Sequence, residues 1–208
     1  MSEAESIQSQ ETTPEQKAAP VAETNASGRR KHKEEITPAE GVTVTVDKGN
    51  ITIKGEKGEL VEVVNDPKIK VSFDNGKIIL QSTTFSRHEK RKIKTFRSHI
   101  MNKMQGVLEG YVYKLKICAG HFPMNVTLQG QDFVIKNFLG EKIPRTLKIV
   151  EGGTVKIEGE IITVESVDKE IAGQIAASIE KLCTVTNRDL RVFQDGIYIT
   201  EKAGKEIK

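Results

Sequence analysis

The hexapeptide NITIKG at residues 50–55 recurs in altered form 75 residues later, as NVTLQG at residues 125–130. A second correspondence lies at an offset of 84, where VSF at residues 71–73 matches VKI at residues 155–157. These blocks alternate apolar and polar residues, which is the period of a half-buried β-strand. The sequence therefore predicts an α+β protein of two tandem homologous domains. Each domain is expected to have an antiparallel or mixed β-sheet covered by one main α-helix.

Turn residues divide the first copy into short strands. Structure is expected to begin near Ile36, and Asp47 opens a turn before the quoted hexapeptide. Asn75 and Gly76 give the strongest short hairpin signal in the chain, because this pair readily adopts the positive φ angles of a type I′ turn. The first copy is therefore predicted to be a series of hairpins that ends in a helix.

Helix signals follow the strands of the first copy. Apolar residues recur at spacings of three and four between Ile93 and Val107, which predicts a helix with one buried face. Ser86 is the expected N-cap, with Glu89 three residues later. Glycines at 106 and 110 are expected to weaken this helix and then to end it.

The second copy is predicted to end in the same way. Asp168 is the expected N-cap of its helix, and the apolar face consists of residues at spacings of three and four: Ile171, Ile175, Ile179 and Leu182. The second copy is also nine residues longer, and the extra length includes NFLGEKIPR at residues 137–145. Because the first copy packs without this insertion, the basic residues Lys142 and Arg145 are more naturally functional than structural.

Composition sets the expected domain boundaries. Residues 1–35 have no aromatic residue and are rich in Glu, Ser, Thr, Gln, Ala and Pro, so they are predicted to be a disordered acidic tail. The run RRKHK at residues 29–33 is either a phosphate-gripping cluster or a solvated stretch of charge. The two repeats are assigned to residues 36–112 and 113–202, and residues 203–208 to a basic C-terminal tail.

Positive charge is concentrated in the body of the chain. The net charge is +3, and the first 40 residues contain eight acidic side chains against five basic ones, so the remainder is +6. Seven basic residues and one acidic residue, Glu89, lie between Arg87 and Lys103. A helix of this kind repels itself, because solvated helices usually alternate opposite charges four residues apart. Neutralisation by phosphates favours a nucleic-acid partner, although an exposed helix without a partner is the open alternative. The scarcity of aromatic runs indicates contact with folded RNA through shape and phosphates.

Several function classes are disfavoured by what the sequence lacks. The longest apolar runs are three or four residues, far short of the ~20 of a membrane-spanning helix. No secretory signal, phosphate-binding glycine loop or serine nucleophile motif is found, and the four histidines are never three or four residues apart. We therefore expect a cytoplasmic protein with no cofactor, no metal, no membrane partner and no small-molecule substrate. Cys118 and Cys183 are expected to be inert thiols, and a small hydrolase built on Cys118 and His121 is a remote alternative.

Four motifs together resemble the universal large-subunit ribosomal protein six family, in its archaeal and eukaryotic branch. They are TFRSHIMN at 95–102, AGHFPM at 119–124, NFLGEKIPR at 137–145 and NRDLRVFQDGIY at 187–198. The resemblance implies a non-catalytic structural protein of the ribosome that binds 23S ribosomal RNA mainly through its second domain. It also implies a place near the subunit interface, the stalk base and the translation-factor site, beside neighbouring large-subunit proteins. The acidic tail departs from the family pattern, so nothing is carried over to it.

The resemblance and the charge pattern together give a set of expected RNA contacts. Arg97 and Asn102 match the family motif and are expected to contact phosphates or 2′-hydroxyl groups, whereas His121 either does so or holds its loop. The alternative to RNA binding is a protein–protein adaptor whose positive charge is incidental. The complete predicted RNA-binding set is Arg87, Lys90, Arg91, Lys94, Arg97, His99, Asn102, Lys103, His121, Lys136, Lys142, Arg145, Arg188, Arg191, Lys202, Lys205 and Lys208.

Overall fold

A computed structural model describes residues 31–47 and 49–207 of the chain. The expected acidic tail therefore lies, up to residue 30, outside the described residues, as does Lys208. Two helices and fourteen strands are found in the described ranges, together with one 3₁₀ turn at Phe138–Gly140. The strands and helices are, in chain order, β1 (Lys33–Ile36), β2 (Thr43–Asp47), β3 (Asn50–Gly55), β4 (Gly58–Val63), β5 (Ile69–Asp74), β6 (Lys77–Ser82), α1 (Arg87–Glu109), β7 (Tyr111–Cys118), β8 (Asn125–Gln129), β9 (Asp132–Lys136), β10 (Arg145–Lys148), β11 (Gly153–Glu158), β12 (Ile161–Ser166), α2 (Lys169–Leu182), β13 (Gly196–Lys202) and β14 (Lys205–Glu206).

Both ends of the folded body extend beyond the expected limits. Residues 33–35, assigned to the disordered tail from composition, form most of β1 and pair antiparallel with β6. At the other end, residues 205–206 of the expected basic tail pair with β13 as β14. Backbone hydrogen bonds to a neighbouring strand order these charged segments, and a composition rule does not detect such pairing.

Each copy contains two sheets where the sequence predicted one. The first has the strand orders β2-β3-β4 and β1-β6-β5, and the second has β10-β9-β8 and β11-β12-β7-β13-β14. Every pairing among the described strands is antiparallel. The alternating pattern identifies hairpins but does not say which sheet a hairpin joins, so the α+β class is confirmed and the number of sheets is corrected.

The two predicted helices and their caps are confirmed. Ser86 caps α1 by accepting a hydrogen bond from the His88 backbone N–H at 3.2 Å, and Asp168 caps α2 by accepting from Glu170 at 2.9 Å. Each helix covers a separate apolar core. The core under α1 contains Ile51, Ile53, Ile78, Leu80, Ile93, Ile100, Met104 and Val107, and the core under α2 contains Leu115, Phe133, Ile135, Ile162, Val164, Ala172, Ile175, Ala176 and Ile179.

Glu89, the one acidic residue in the first half of α1, points inward. It is only 4% exposed, so it does not offset the positive charge on the outer face of the helix. A hydrogen bond with the Ser86 side chain, together with the helix backbone, Thr84 and the nearby Lys68 ammonium, lowers the pKa of Glu89 from 4.5 to about 2. The carboxylate therefore belongs to the capping of the helix rather than to its solvent face.

We predict that Glu89 contributes to the pH dependence of stability. Because its pKa is lower in the folded chain, its stabilising effect is complete above about pH 4.5 and is lost as the pH falls towards 2. Urea unfolding of wild type and Glu89→Gln, followed by far-UV circular dichroism, should show a stability difference at pH 6 that shrinks steadily towards pH 2.5. A difference independent of pH would contradict this role.

The two domains pack together where α1 meets the segment before α2. The ideal Cβ position on Gly106 lies 2.1 Å from the carbonyl oxygen of Val167, so no larger residue fits without a shift. Around this contact, the Tyr111 hydroxyl donates to the Asn102 carbonyl at 2.9 Å and the Lys169 ammonium donates to the Asn102 side-chain oxygen at 3.2 Å. We call these residues the domain junction. They fix how α1 is oriented against the second domain.

A single methyl group at the junction tests this packing. Gly106→Ala should lower the free energy of unfolding by about 1–3 kcal/mol through overpacking against Val167, even though alanine favours a helix interior by ~1 kcal/mol. Gly173→Ala in α2 is the matched control. Its new Cβ would lie 3.4 Å from the Tyr113 hydroxyl, an ordinary contact, and the change should be neutral or stabilising. Equal stabilisation of both variants in urea titrations would show that the contact is not tight.

Candidate nucleic-acid interface

The outer face of the first half of α1 carries a row of four exposed cations. Arg87, Lys90, Arg91 and Lys94 are all exposed, and none of them forms an ion pair or a side-chain hydrogen bond with another described residue. Because Glu89 is turned inward, this face carries no carboxylate of its own helix. We call these four residues the α1 cation row. A helix that presents four positive charges on one face, at successive spacings of three, one and three residues, provides a surface for a polyanion.

The other predicted contacts on α1 are engaged within the protein. Lys103 is 12% exposed and donates to Glu62 at 2.7 Å and to the Val61 carbonyl at 2.7 Å. The His99 ring lies 3.3 Å from Glu62 of the first domain and 3.3 Å from Glu170 of the second. Asn102 also belongs to the domain junction. The structure thus gives Lys103, His99 and Asn102 positions in which they stabilise the fold and join the domains.

Arg97 is intermediate between these two groups. Its guanidinium lies 3.8 Å from the Glu34 carboxylate, and about half of its side chain is exposed. Exposed ion pairs of this kind contribute little to stability. Arg97 therefore remains accessible to a phosphate at small cost.

The inserted segment contains two basic residues with different surroundings. Arg145 grips the Glu141 carboxylate at 2.9 and 2.7 Å, and also donates to the Leu182 carbonyl at 2.6 Å. Its guanidinium lies 4.2 Å from the centre of the Phe138 ring. These contacts hold the insertion against the C-terminal end of α2. Lys142, by contrast, is exposed and has no such contact with a described residue.

The surroundings of the insertion change the pKa values of Glu141 and Cys183. The hydrogen bonds from Arg145 lower the pKa of Glu141, so this carboxylate is charged at neutral pH. Burial raises the pKa of the Cys183 thiol to about 11, which keeps it protonated. The prediction of an inert thiol therefore agrees with the surroundings of Cys183.

A second cluster forms where the segment 186–195 meets the loop after β7. Asp195 is 2% exposed and accepts hydrogen bonds from the backbone N–H groups of Gly120 and His121, and its other oxygen lies 2.6 Å from His121 Nδ1. Burial alone would raise the pKa of Asp195, but these bonds outweigh it and lower the pKa. The His121 ring stacks on Phe193 at 4.8 Å. Of the two roles expected for His121, this geometry favours that of holding the loop.

The remaining predicted contacts lie on the surface of the second domain. Arg188 lies over the Phe193 ring at 4.9 Å, and Arg191 pairs with Asp189 at 3.2 Å while remaining 91% exposed. Lys136, Lys202 and Lys205 are exposed and without ion-pair partners among the described residues.

The hydrolase alternative finds little support in this geometry. No hydrogen bond joins Cys118 to His121, and the Nδ1 atom of His121 is occupied by Asp195. Within the described ranges, no three His, Cys, Asp or Glu side chains are grouped as metal ligands, and no helix is long and apolar enough to cross a membrane.

Fold and surface together define a duplicated, two-domain α+β protein with exposed cations on both domains. The Ribosomal protein L6 family model matches residues 39–110 and again residues 122–196. The chain is 45% identical over 173 residues to "Large ribosomal subunit protein uL6" of Methanococcus vannielii, covering 83% of this chain and 95% of that protein. It is 45% identical over 170 residues to the uL6 protein of Methanocella arvoryzae, covering 81% and 96%. The chain belongs to the ribosomal protein L6 family, whose members are structural components of the large ribosomal subunit.

The two basic residues of the insertion should behave differently when truncated. Arg145→Ala should lower the free energy of unfolding by about 1–3 kcal/mol, because hydrogen bonds that tie the insertion to α2 are lost. Lys142→Ala should change it by less than about 0.5 kcal/mol, as expected for an exposed residue that contacts no described side chain. Urea titrations followed by far-UV circular dichroism measure both. Equal losses, or a larger loss for Lys142→Ala, would refute these assignments.

Proposed function

We propose that this chain is a structural constituent of the large ribosomal subunit that binds 23S-type ribosomal RNA by neutralising phosphates at fixed positions. The observation that carries the proposal is the α1 cation row, four exposed cations on a helix whose own Glu89 is buried. Membership of the ribosomal protein L6 family supports the same partner. No catalytic step is part of the proposal.

The proposed RNA-binding residues fall into two groups. Those expected to touch RNA directly are exposed: the α1 cation row, Arg97, Lys136, Lys142, Arg188, Arg191, Lys202 and Lys205. Those expected to act by positioning are held by internal contacts: His99, Asn102, Lys103, His121 and Arg145. Lys208 belongs to the proposed set but lies outside the described residues. The second group keeps the first at fixed distances, so that phosphates meet preorganised charges.

The second domain is proposed as the main RNA-binding unit. It carries the insertion with Lys142, the strand ends with Lys136 and Lys202, and the segment 186–195 with its exposed arginines. The α1 cation row then gives the first domain a separate contact, so that two RNA helices are pinned together across the domain junction. We place the protein near the subunit interface, the stalk base and the translation-factor site, beside neighbouring large-subunit proteins, on the strength of the family motifs.

Salt dependence of binding tests the phosphate contacts. On duplex RNA, each neutralised phosphate should contribute roughly 0.9 to the slope of log affinity against log salt. The double variant Lys90→Ala, Lys94→Ala should therefore bind a large-subunit RNA fragment more weakly and reduce the magnitude of this slope by about 2. Lys54→Ala is the control, because the Lys54 ammonium pairs with Glu59 at 3.0 Å, and its slope should stay unchanged.

Two outcomes would overturn the proposal. If wild-type affinity did not vary with salt, the positive charge would be incidental and the adaptor alternative would be favoured. If the double variant kept the wild-type slope and affinity, the α1 cation row would not contact RNA. Filter-binding titrations between roughly 50 and 200 mM salt cover the range in which phosphate contacts dominate affinity.

A further inference from the structure

Two aromatic rings stack on the surface beside the start of α1. The rings of His32 and Phe85 have centroids 4.2 Å apart and planes inclined by 17°. Phe85 is 52% exposed and belongs to neither hydrophobic core. The apolar surface of this ring is therefore not accounted for by packing of the described fold.

The backbone on both sides holds this pair in place. The His32 N–H donates to the Ser82 hydroxyl at 3.0 Å, and the Ser82 N–H donates to the His32 carbonyl at 2.9 Å; Ser82 itself is 1% exposed. Phe85 lies between Thr83, whose N–H donates to the Lys68 carbonyl at 2.9 Å, and the helix N-cap Ser86. Both rings thus project from anchored positions, and little backbone entropy is lost when a ligand binds to them.

Cations flank the stacked pair along the chain. Lys31 directly precedes His32, and Arg87 follows Phe85 by two residues. Neither side chain forms an ion pair with a described residue. Arg87 also begins the α1 cation row, so the rings lie at one end of a surface that carries no carboxylate of its helix. Exposed rings beside unpaired cations are the combination that binds unpaired nucleotides, since bases stack on the rings and phosphates meet the cations.

We propose that the His32–Phe85 pair is a stacking platform for one unpaired base of RNA, with Lys31 and Arg87 binding the adjoining phosphates. The proposal rests on the proposed RNA-binding function and adds a ligand class to it. Bases within a duplex already stack on one another and cannot reach a protein ring, so the ligand is a nucleotide in a loop, bulge or strand end. The α1 cation row then follows the backbone away from that nucleotide.

The experiment uses the full chain and two RNA probes. One is a single-stranded 12-mer with a central 2-aminopurine, whose fluorescence falls when the base stacks; the other is a 12-base-pair duplex. Wild type should bind both and quench 2-aminopurine. Phe85→Leu should bind the single strand roughly 5- to 150-fold more weakly, as expected for loss of one base-stacking contact. It should also lose the quenching while its duplex affinity stays within about twofold.

Two further variants test whether base stacking needs an aromatic ring at position 85 and whether another exposed phenylalanine has the same effect. Phe85→Tyr retains an aromatic face and should quench like wild type. Phe73→Leu removes a phenylalanine that is 44% exposed on β5, at the far end of the hairpin from Ser82, and should change neither affinity. Because Phe85 lies outside both cores, Phe85→Leu should unfold in urea at the wild-type midpoint.

The possible outcomes distinguish the two proposals. If wild type binds duplex but Phe85→Leu quenches 2-aminopurine as wild type does, the platform is refuted and phosphate binding stands. If wild type binds neither probe at low salt, RNA binding itself fails. If Phe85→Leu weakens the binding of polyglutamate as much as that of the single strand, the pair recognises acidic chains in general and the assignment to a base is refuted.

Discussion

The close contact between Gly106 and Val167 is the constraint on which the arrangement of the two domains depends. A carbonyl oxygen occupies the space that any side chain at position 106 would need. This contact allows α1 to approach the second domain so closely that Asn102 and His99 reach side chains at the start of α2. One face of α1 is fixed on its sheets and its C-terminal half lies beside the second domain, while the α1 cation row on the first half of its outer face is exposed.

That constraint divides the basic residues into two populations. Lys103 and Arg145 have carboxylates and carbonyl groups of their own chain as partners, and their positive charges hold α1 on β4 and the insertion on α2. Lys90, Lys94 and Lys142 have none among the described residues. In such a site, ion pairs hold the supporting elements in place, and the accessible charges lie on those elements. Less conformational entropy is therefore lost when a polyanion binds.

Local signals predicted the helices and their caps, because Ser86, Glu89 and Asp168 act on atoms only two or three residues away. The duplication was equally visible, since it needs only a comparison of the chain with itself. Sheet membership and the ordering of β1 were not predictable in this way, because both depend on pairing with distant strands. For the same reason, charge type alone could not separate Arg145 from Lys142, and no local pattern relates His32 to Phe85.

Chemical footprinting of lysines tests the central claim most directly. The free protein and the assembled large subunit would be acetylated under identical conditions, and the modification of each lysine read by mass spectrometry. The account predicts that Lys90, Lys94 and Lys142 react readily in the free protein and are protected in the subunit, while Lys103 reacts poorly in both. The account would be contradicted if Lys90 and Lys94 stayed as reactive in the subunit as they are in the free protein.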